Sequence, residues 1–155
     1  MEMLAITLEN NDRLQAQHYP AHAATRRFRS VIVGPATAAA QTYYTKFCSY
    51  LAEQGFEVRS FEFRGVGQSL QRPIREYREV GFSDWAEHDY PAVIDSMHSL
   101  YPGQPLYIVG HSVGGWMPGA TRASHRIDGI LGVAALSAYR PLMARPYRYG
   151  HWLTW

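Results

Sequence analysis

The sequence predicts an α/β protein, a three-layer sandwich built on a mostly parallel sheet. Three observations carry that expectation. Short uncharged runs recur along the chain: Ser30-Val31-Ile32-Val33-Gly34, Leu106-Tyr107-Ile108-Val109-Gly110 and Ile130-Leu131-Gly132-Val133-Ala134-Ala135-Leu136. None shows the polar alternation of a half-solvated strand, so each suits a strand buried on both faces. Segments long enough for helices separate them, and strand–helix–strand crossovers give parallel neighbours.

The elements follow in order. Residues 3–9 and 13–18 flank Asn10-Asn11-Asp12 and read as a β-hairpin with a polar turn. Residues 19–29 form a loop before the first buried strand. Residues 40–54 place apolar groups at Tyr43, Tyr44, Phe47, Tyr50 and Leu51, a helical spacing that stops at Gly55. From Phe56 to Phe63 a strand with partial alternation sets Val58, Phe61 and Phe63 against Glu57, Arg59 and Glu62. Residues 64–69 are a loop, and 70–82 are polar with at most a short helical turn. A helix starts near Ser83 or Asp84, with Glu87 three residues after Asp84, and runs to about Leu100, bent at Pro91. A turn at 101–105 leads into the strand at 106–110, a helix opens at about Val113, and the run from Ile130 closes the count at six strands.

Composition bounds the function. The chain has 155 residues, 46% hydrophobic and 18% charged, which suits one domain with a packed core and excludes disorder. A net charge of +2 and no basic run beyond Arg26-Arg27-Phe28-Arg29, read as a solvated loop end, argue against a nucleic-acid partner. Cys48 is the only cysteine and is expected to be a buried, inert thiol. The first residues lack a basic region followed by an apolar run, and no stretch approaches 18 apolar residues. The expectation is a cytoplasmic protein without a membrane span, metal or cofactor. Gly65-Val66-Gly67 lacks the third glycine of a dinucleotide fingerprint.

Gly110-His111-Ser112-Val113-Gly114 carries the chemistry. A Gly-x-Ser-x-Gly string alone arises by chance in roughly one chain in twenty of this length. Here it follows an apolar strand directly and opens a helical segment, the strand–turn–helix setting of a nucleophile elbow. Gly110 and Gly114 leave room where strand and helix approach closely. The turn lifts the Ser112 hydroxyl clear of the sheet and aims the free N–H groups of the next helix at a developing oxyanion. The alternative is a tight turn whose serine only caps the helix. His111 is part of the elbow but not its base, because adjacent residues on such a turn point in different directions.

At these residues the sequence resembles the α/β-hydrolase superfamily, and most nearly the bacterial hydrolases similar to the serine aminopeptidase and monoacylglycerol lipase families. Gly34-Pro35-Ala36-Thr37 takes the place of their oxyanion loop. Tyr44 to Leu51 with Gly55-Phe56 resembles their first helix. Glu62-Phe63-Arg64-Gly65-Val66-Gly67-Gln68-Ser69 resembles their Asp-x-Arg-Gly-x-Gly-x-Ser loop, with Glu62 in place of Asp. Trp85 and Asp89 match a Trp-x-x-x-Asp pattern, and Gly110 to Gly115 is the elbow. The likeness covers about residues 5–138. It implies Ser112 as nucleophile and Val113 as one oxyanion N–H. The other comes from Ala36 or Thr37, with Thr37 aligning slightly better when Tyr44 is the anchor. The Arg64 loop is implied to be structural.

The same resemblance puts the catalytic acid and histidine after the serine. The only acid after Ser112 is Asp128, and the only histidines are His125 and His151. His125 and Asp128 fall in a connection at the sheet's opposite rim, and His151 lies only fifteen residues past the last strand. Eight strands are implied and six are counted. The expectation is therefore a single, incomplete α/β-hydrolase domain over residues 1–155, truncated after about six strands, without its acid and base. A serine lacking its base keeps only the oxyanion-hole and binding share of catalysis. The function expected is hydrolysis of a small-molecule acyl substrate (ester, thioester or amide) through an acyl-enzyme on Ser112. The alternative is a non-catalytic fragment that self-associates through the open 130–136 edge, an apolar strand without edge protection. Pro118 departs from the usual helix after the elbow.

Overall fold

A computed structural model of the chain describes residues 1–135. A hairpin of β1 (Glu2–Thr7) and β2 (Arg13–Tyr19) is followed by β3 (Ser30–Gly34), α1 (Thr45–Glu53), β4 (Glu57–Phe61), α2 (Tyr90–Leu100), β5 (Leu106–His111), α3 (Val113–Ala120) and β6 (Gly129–Val133). The strands form one sheet in the order β1-β2-β4-β3-β5-β6. The hairpin is antiparallel to itself and to β4, and β4, β3, β5 and β6 run parallel. The three layers are as expected: α1 covers one face, and α2 with α3 covers the other.

The hairpin turn closes through Leu8 N–H to Asp12 O at 2.8 Å and Asn11 N–H to Leu8 O at 3.0 Å. Asn11 takes φ 66°, a left-handed conformation that asparagine tolerates. Side chains of the parallel strands alternate between two cores. Ile32, Phe61 and Ile108 pack with Tyr90, Ile94 and Met117 on one face. Val31, Val33 and Val58 pack with Tyr44 and Cys48 on the other.

Four local features differ from the sequence reading. The helix at 40–54 begins as a 3₁₀ turn, Gln41–Tyr44, before α1. Its buried side is Tyr44, Cys48 and Ala52, while Tyr43, Phe47 and Tyr50 are exposed. Two apolar stripes share this helix, and periodicity alone does not say which one meets the sheet. Its end is as expected: Gly55 at φ 93°, with Gly55 N–H to Ala52 O at 2.9 Å and Phe56 N–H to Leu51 O at 3.1 Å.

In β4 every residue is buried, the charged ones included. The Glu57 carboxylate accepts from Arg26 Nη2 at 2.9 Å, Tyr101 Oη at 2.8 Å and Ala21 N–H at 3.1 Å, and Arg59 donates to Ser96 Oγ. The hairpin makes β4 an internal strand, so polar alternation here marks paired buried groups and not a solvated face.

The third difference lies at the start of α2. A helical turn at Phe82–Asp84 leads into a π-helical turn at Trp85–Asp89 and then α2. Asp84 is not the cap; its Oδ2 accepts the Gly81 N–H from the third helical position at 2.8 Å. Pro91 falls in the first turn of α2, and Tyr90 N–H bonds back five residues to Trp85 O. The bonding ladder thus changes step just before the residue that has no N–H.

The last described strand is shorter than read, Gly129–Val133, and ends the described sheet, so Ile130, Leu131 and Val133 are exposed and not buried on both faces. Cys48 is fully buried, and burial pushes its thiol up to about 12. Among the described residues no helix is long and apolar enough to cross a membrane, and no cluster of three metal-ligating side chains occurs. Leu136 and residues 140–155, with His151, lie outside the described residues.

A candidate nucleophile turn

β5 delivers Ser112 to the C-terminal rim of the sheet. In the parallel register Gly34, Gly110 and Gly132 stand abreast on β3, β5 and β6. Gly34 and Gly110 form the notch that receives the first turn of α3, while a Cβ on Gly132 would meet Ala135. A Cβ on Gly110 would stand 2.1 Å from Gly114 O, and one on Gly114 would stand 2.5 Å from both Gly34 O and Pro35 O. These are backbone atoms that cannot swing aside, so the glycines are required by contact.

Ser112 itself sits at φ 51°, ψ −119°. A non-glycine residue in such a region costs on the order of 1–3 kcal/mol and persists only where its surroundings hold it. The holding bonds are Ser112 N–H to Val133 O at 2.9 Å and Gly115 N–H to Ser112 O at 3.0 Å. The side chain makes no capping bond to α3, which removes the reading of Ser112 as a helix cap. Val113 opens the helix, so its N–H belongs to the first, unbonded turn.

The loop after β3 lies against this turn through Gly34 and Pro35. Its next residue is already occupied: Ala36 N–H donates to Tyr44 Oη at 2.9 Å. Tyr44 Oη also lies 3.0 Å from His111 Nδ1. The direction of that hydrogen bond depends on the His111 tautomer, and the same phenol oxygen also accepts from Ala36 N–H. Tyr43 stacks on the same imidazole, with ring centroids 6.3 Å apart. His111 is thus held on the α1 side, where a cavity of ≈ 290 Å³ is lined by it, Val33, Tyr43, Phe47, Val109 and Val133. Thr37 is exposed, and among the described residues its backbone N–H makes no hydrogen bond.

The remaining polar residues after the elbow are elsewhere. Asp128 accepts Leu106 N–H on its Oδ2 at 2.8 Å and donates its own N–H to Leu106 O at 2.8 Å, at the beginning of β5. Ser112 lies six residues further along, ~20 Å at the rise of an extended strand. His125 is exposed, with Nδ1 3.1 Å from Arg122 O. Both occupy the opposite rim, as expected.

The Arg64 loop binds inward. Arg64 Nε donates to Asp89 Oδ1 at 2.7 Å and Arg64 N–H to Asp89 Oδ2 at 2.9 Å. Trp85 Nε1 donates to Arg64 O at 3.2 Å, and its ring stacks on Phe63 with centroids 4.4 Å apart. Burial pushes the Asp89 carboxyl up to about 6, with Arg64 pulling against it. Glu62 accepts Gln41 N–H at 2.9 Å and Gln68 N–H at 2.6 Å. A carboxylate already fills the backbone cradle that a nucleotide phosphate would need.

Sequence reading missed Tyr44 and Tyr90. Each is one aromatic among many, and only its hydroxyl partner distinguishes it.

The sequence profile of the family described as serine aminopeptidase, S33, matches residues 29–155. A search of curated proteins returns no match. Among solved structures, a thermostable carboxyl esterase from Bacillus coagulans, in complex with glycerol, is 21% identical with a TM-score of 0.68, covering 84% of this chain and 43% of its own. A soluble variant of the monoglyceride lipase from Saccharomyces cerevisiae, with a substrate analogue, is 19% identical with a TM-score of 0.66, covering 87% and 44%. A serine hydrolase without a lid from Xanthomonas campestris is 22% identical with a TM-score of 0.58, covering 76% and 54%. At these identities the likeness is one of fold. The chain spans about half the length of these structures or less.

Proposed function

Because the chain belongs to the serine aminopeptidase family, S33, we propose that Ser112 is the nucleophile of a hydrolase acting on carboxylic ester, thioester or amide bonds. The observation that carries the reading is the backbone of Ser112, strained at φ 51° and bearing a side chain that caps nothing. Ser112 Oγ bonds to the acyl carbon and the leaving alcohol, thiol or amine departs. Water then attacks the acyl-enzyme and frees the carboxylic acid. The oxygen that gains charge is held by the N–H groups of Val113 and Thr37. Thr37 is preferred to Ala36 because Tyr44 already takes the Ala36 N–H. The Ser112 proton needs a base that the described residues do not supply: His111 Nδ1 is engaged by Tyr44, and His125 and Asp128 lie at the other rim.

A fluorophosphonate probe tests this. Labelling slower than that of a hydrolase with its base in place is expected for the unaltered chain and is lost in Ser112→Ala; equal labelling of the two overturns the reading.

A second reading, a fragment that self-associates through β6, is favoured by one observation. Ile130, Leu131 and Val133 are 46%, 60% and 48% exposed on an uncharged end strand. Light scattering is expected to give a mass above the monomer that falls in Leu131→Lys. A monomer at all concentrations sinks this reading.

A further inference from the structure

Pro118 leaves one helical carbonyl of α3 without its usual donor. In an α-helix the carbonyl of Gly114 would accept the N–H four residues on, and residue 118 has none. Gly114 is buried, and a buried carbonyl without a donor is costly.

The missing donor comes from another element. Tyr90 Oη donates to Gly114 O at 2.6 Å. Tyr90 is fully buried at the start of α2, its ring edge-on to Phe61 and Phe63. Its hydroxyl runs under the end of β3: a Cβ on Gly34 would stand 2.0 Å from Tyr90 Oη and 2.8 Å from Gly114 O. Four residues therefore depend on one another. Pro118 withholds an amide, Tyr90 replaces it, Gly34 leaves the space for the phenol, and Gly114 receives the bond.

We infer that Tyr90 is a positioning residue for the nucleophile turn, its hydroxyl substituting for the amide that Pro118 lacks. The bond ties Gly114, two residues from Ser112, to the start of α2, its neighbour in the same layer. With the β3 end beneath it, the first turn of α3 is fixed from a direction that neither β5 nor β6 supplies. The competing explanation is that Tyr90 is there for its ring alone. In that case its hydroxyl would be dispensable whatever stands at position 118. That Ser112 is the group so placed rests on the acyl chemistry proposed above. The test reads the carbonyl itself, so the two proposals fail separately.

The test is a cycle of Tyr90→Phe, Pro118→Ala and the double variant in the full chain, followed by urea unfolding and by the ¹³C resonance of the Gly114 carbonyl. Tyr90→Phe is expected to raise the unfolding equilibrium constant roughly 10- to 100-fold and to shift that resonance towards an unbonded value. In the Pro118→Ala background the new amide can reach the carbonyl. There the same Tyr90→Phe change is expected to cost about twofold or less and to leave the resonance in place. Equal costs in both backgrounds, or a resonance unmoved by Tyr90→Phe, overturn the inference. If Tyr90→Phe alone does not fold, the double variant decides: a folded double supports the inference and an unfolded one overturns it.

Discussion

Gly114→Ala is expected to destabilise the chain by about 4 kcal/mol or more, enough to leave little native protein. The added carbon would stand 2.5 Å from two main-chain carbonyl oxygens, Gly34 and Pro35, and 2.6 Å from Gly34 C. No rotamer relieves a contact with backbone, so α3 must lift off the sheet or β3 must shift. Gly119→Ala is the internal control. It lies on the same helix with nothing within 4 Å of its Cβ position, and alanine there is expected to stabilise by up to ~1 kcal/mol. Urea unfolding of both variants reads the difference. Equal effects would mean that the notch beneath α3 is not close-packed.

Asp89→Ala carries the second large effect, about 3–5 kcal/mol of destabilisation. The carboxylate accepts from Arg64 Nε and from the Arg64 backbone N–H and ion-pairs with Nη2, all of it out of water. Its loss leaves a buried cation and a buried amide unpaired, and Trp85, bonded to Arg64 O and stacked on Phe63, loses its seat. Replacing both charges together, as in Arg64→Met with Asp89→Leu, is expected to cost less than Asp89→Ala alone, because no orphaned charge remains. Thermal unfolding of the single and double variants distinguishes these outcomes. A double variant worse than Asp89→Ala would contradict the assignment of the cost to an unpaired Arg64.

The parts of this molecule that were legible in the sequence are those whose cause is local. The runs at 30–34 and 106–110 announced buried strands because a charge there has no partner, whereas the uncharged run from Ile130 announced a strand that is exposed among the described residues. The strand–turn–helix around Ser112 was legible because glycine, serine and glycine fall within five residues after an apolar strand. What stayed hidden depends on register or on distance along the chain. That Gly34, Gly110 and Gly132 stand abreast follows only from how three strands align. Tyr44 serves the site through Ala36 and His111, 8 and 67 residues away. Glu57 and Arg59 gave only a partial alternation, because the partners that let them be buried, Arg26, Tyr101 and Ser96, lie outside the strand. Tyr43, Phe47 and Tyr50 show the converse: the helical period was legible, but not that these three face away from the sheet.

The bond from Ser112 N–H to Val133 O has a dynamic consequence. It ties a residue held at φ 51° to β6, beyond which the described residues place no further strand. End strands open with the least free energy in a sheet. The lifetime of the strained serine conformation is then set by how long β6 stays docked, and not by the stability of the core behind it. Whatever lies against the free side of β6 would lengthen that lifetime without touching the serine.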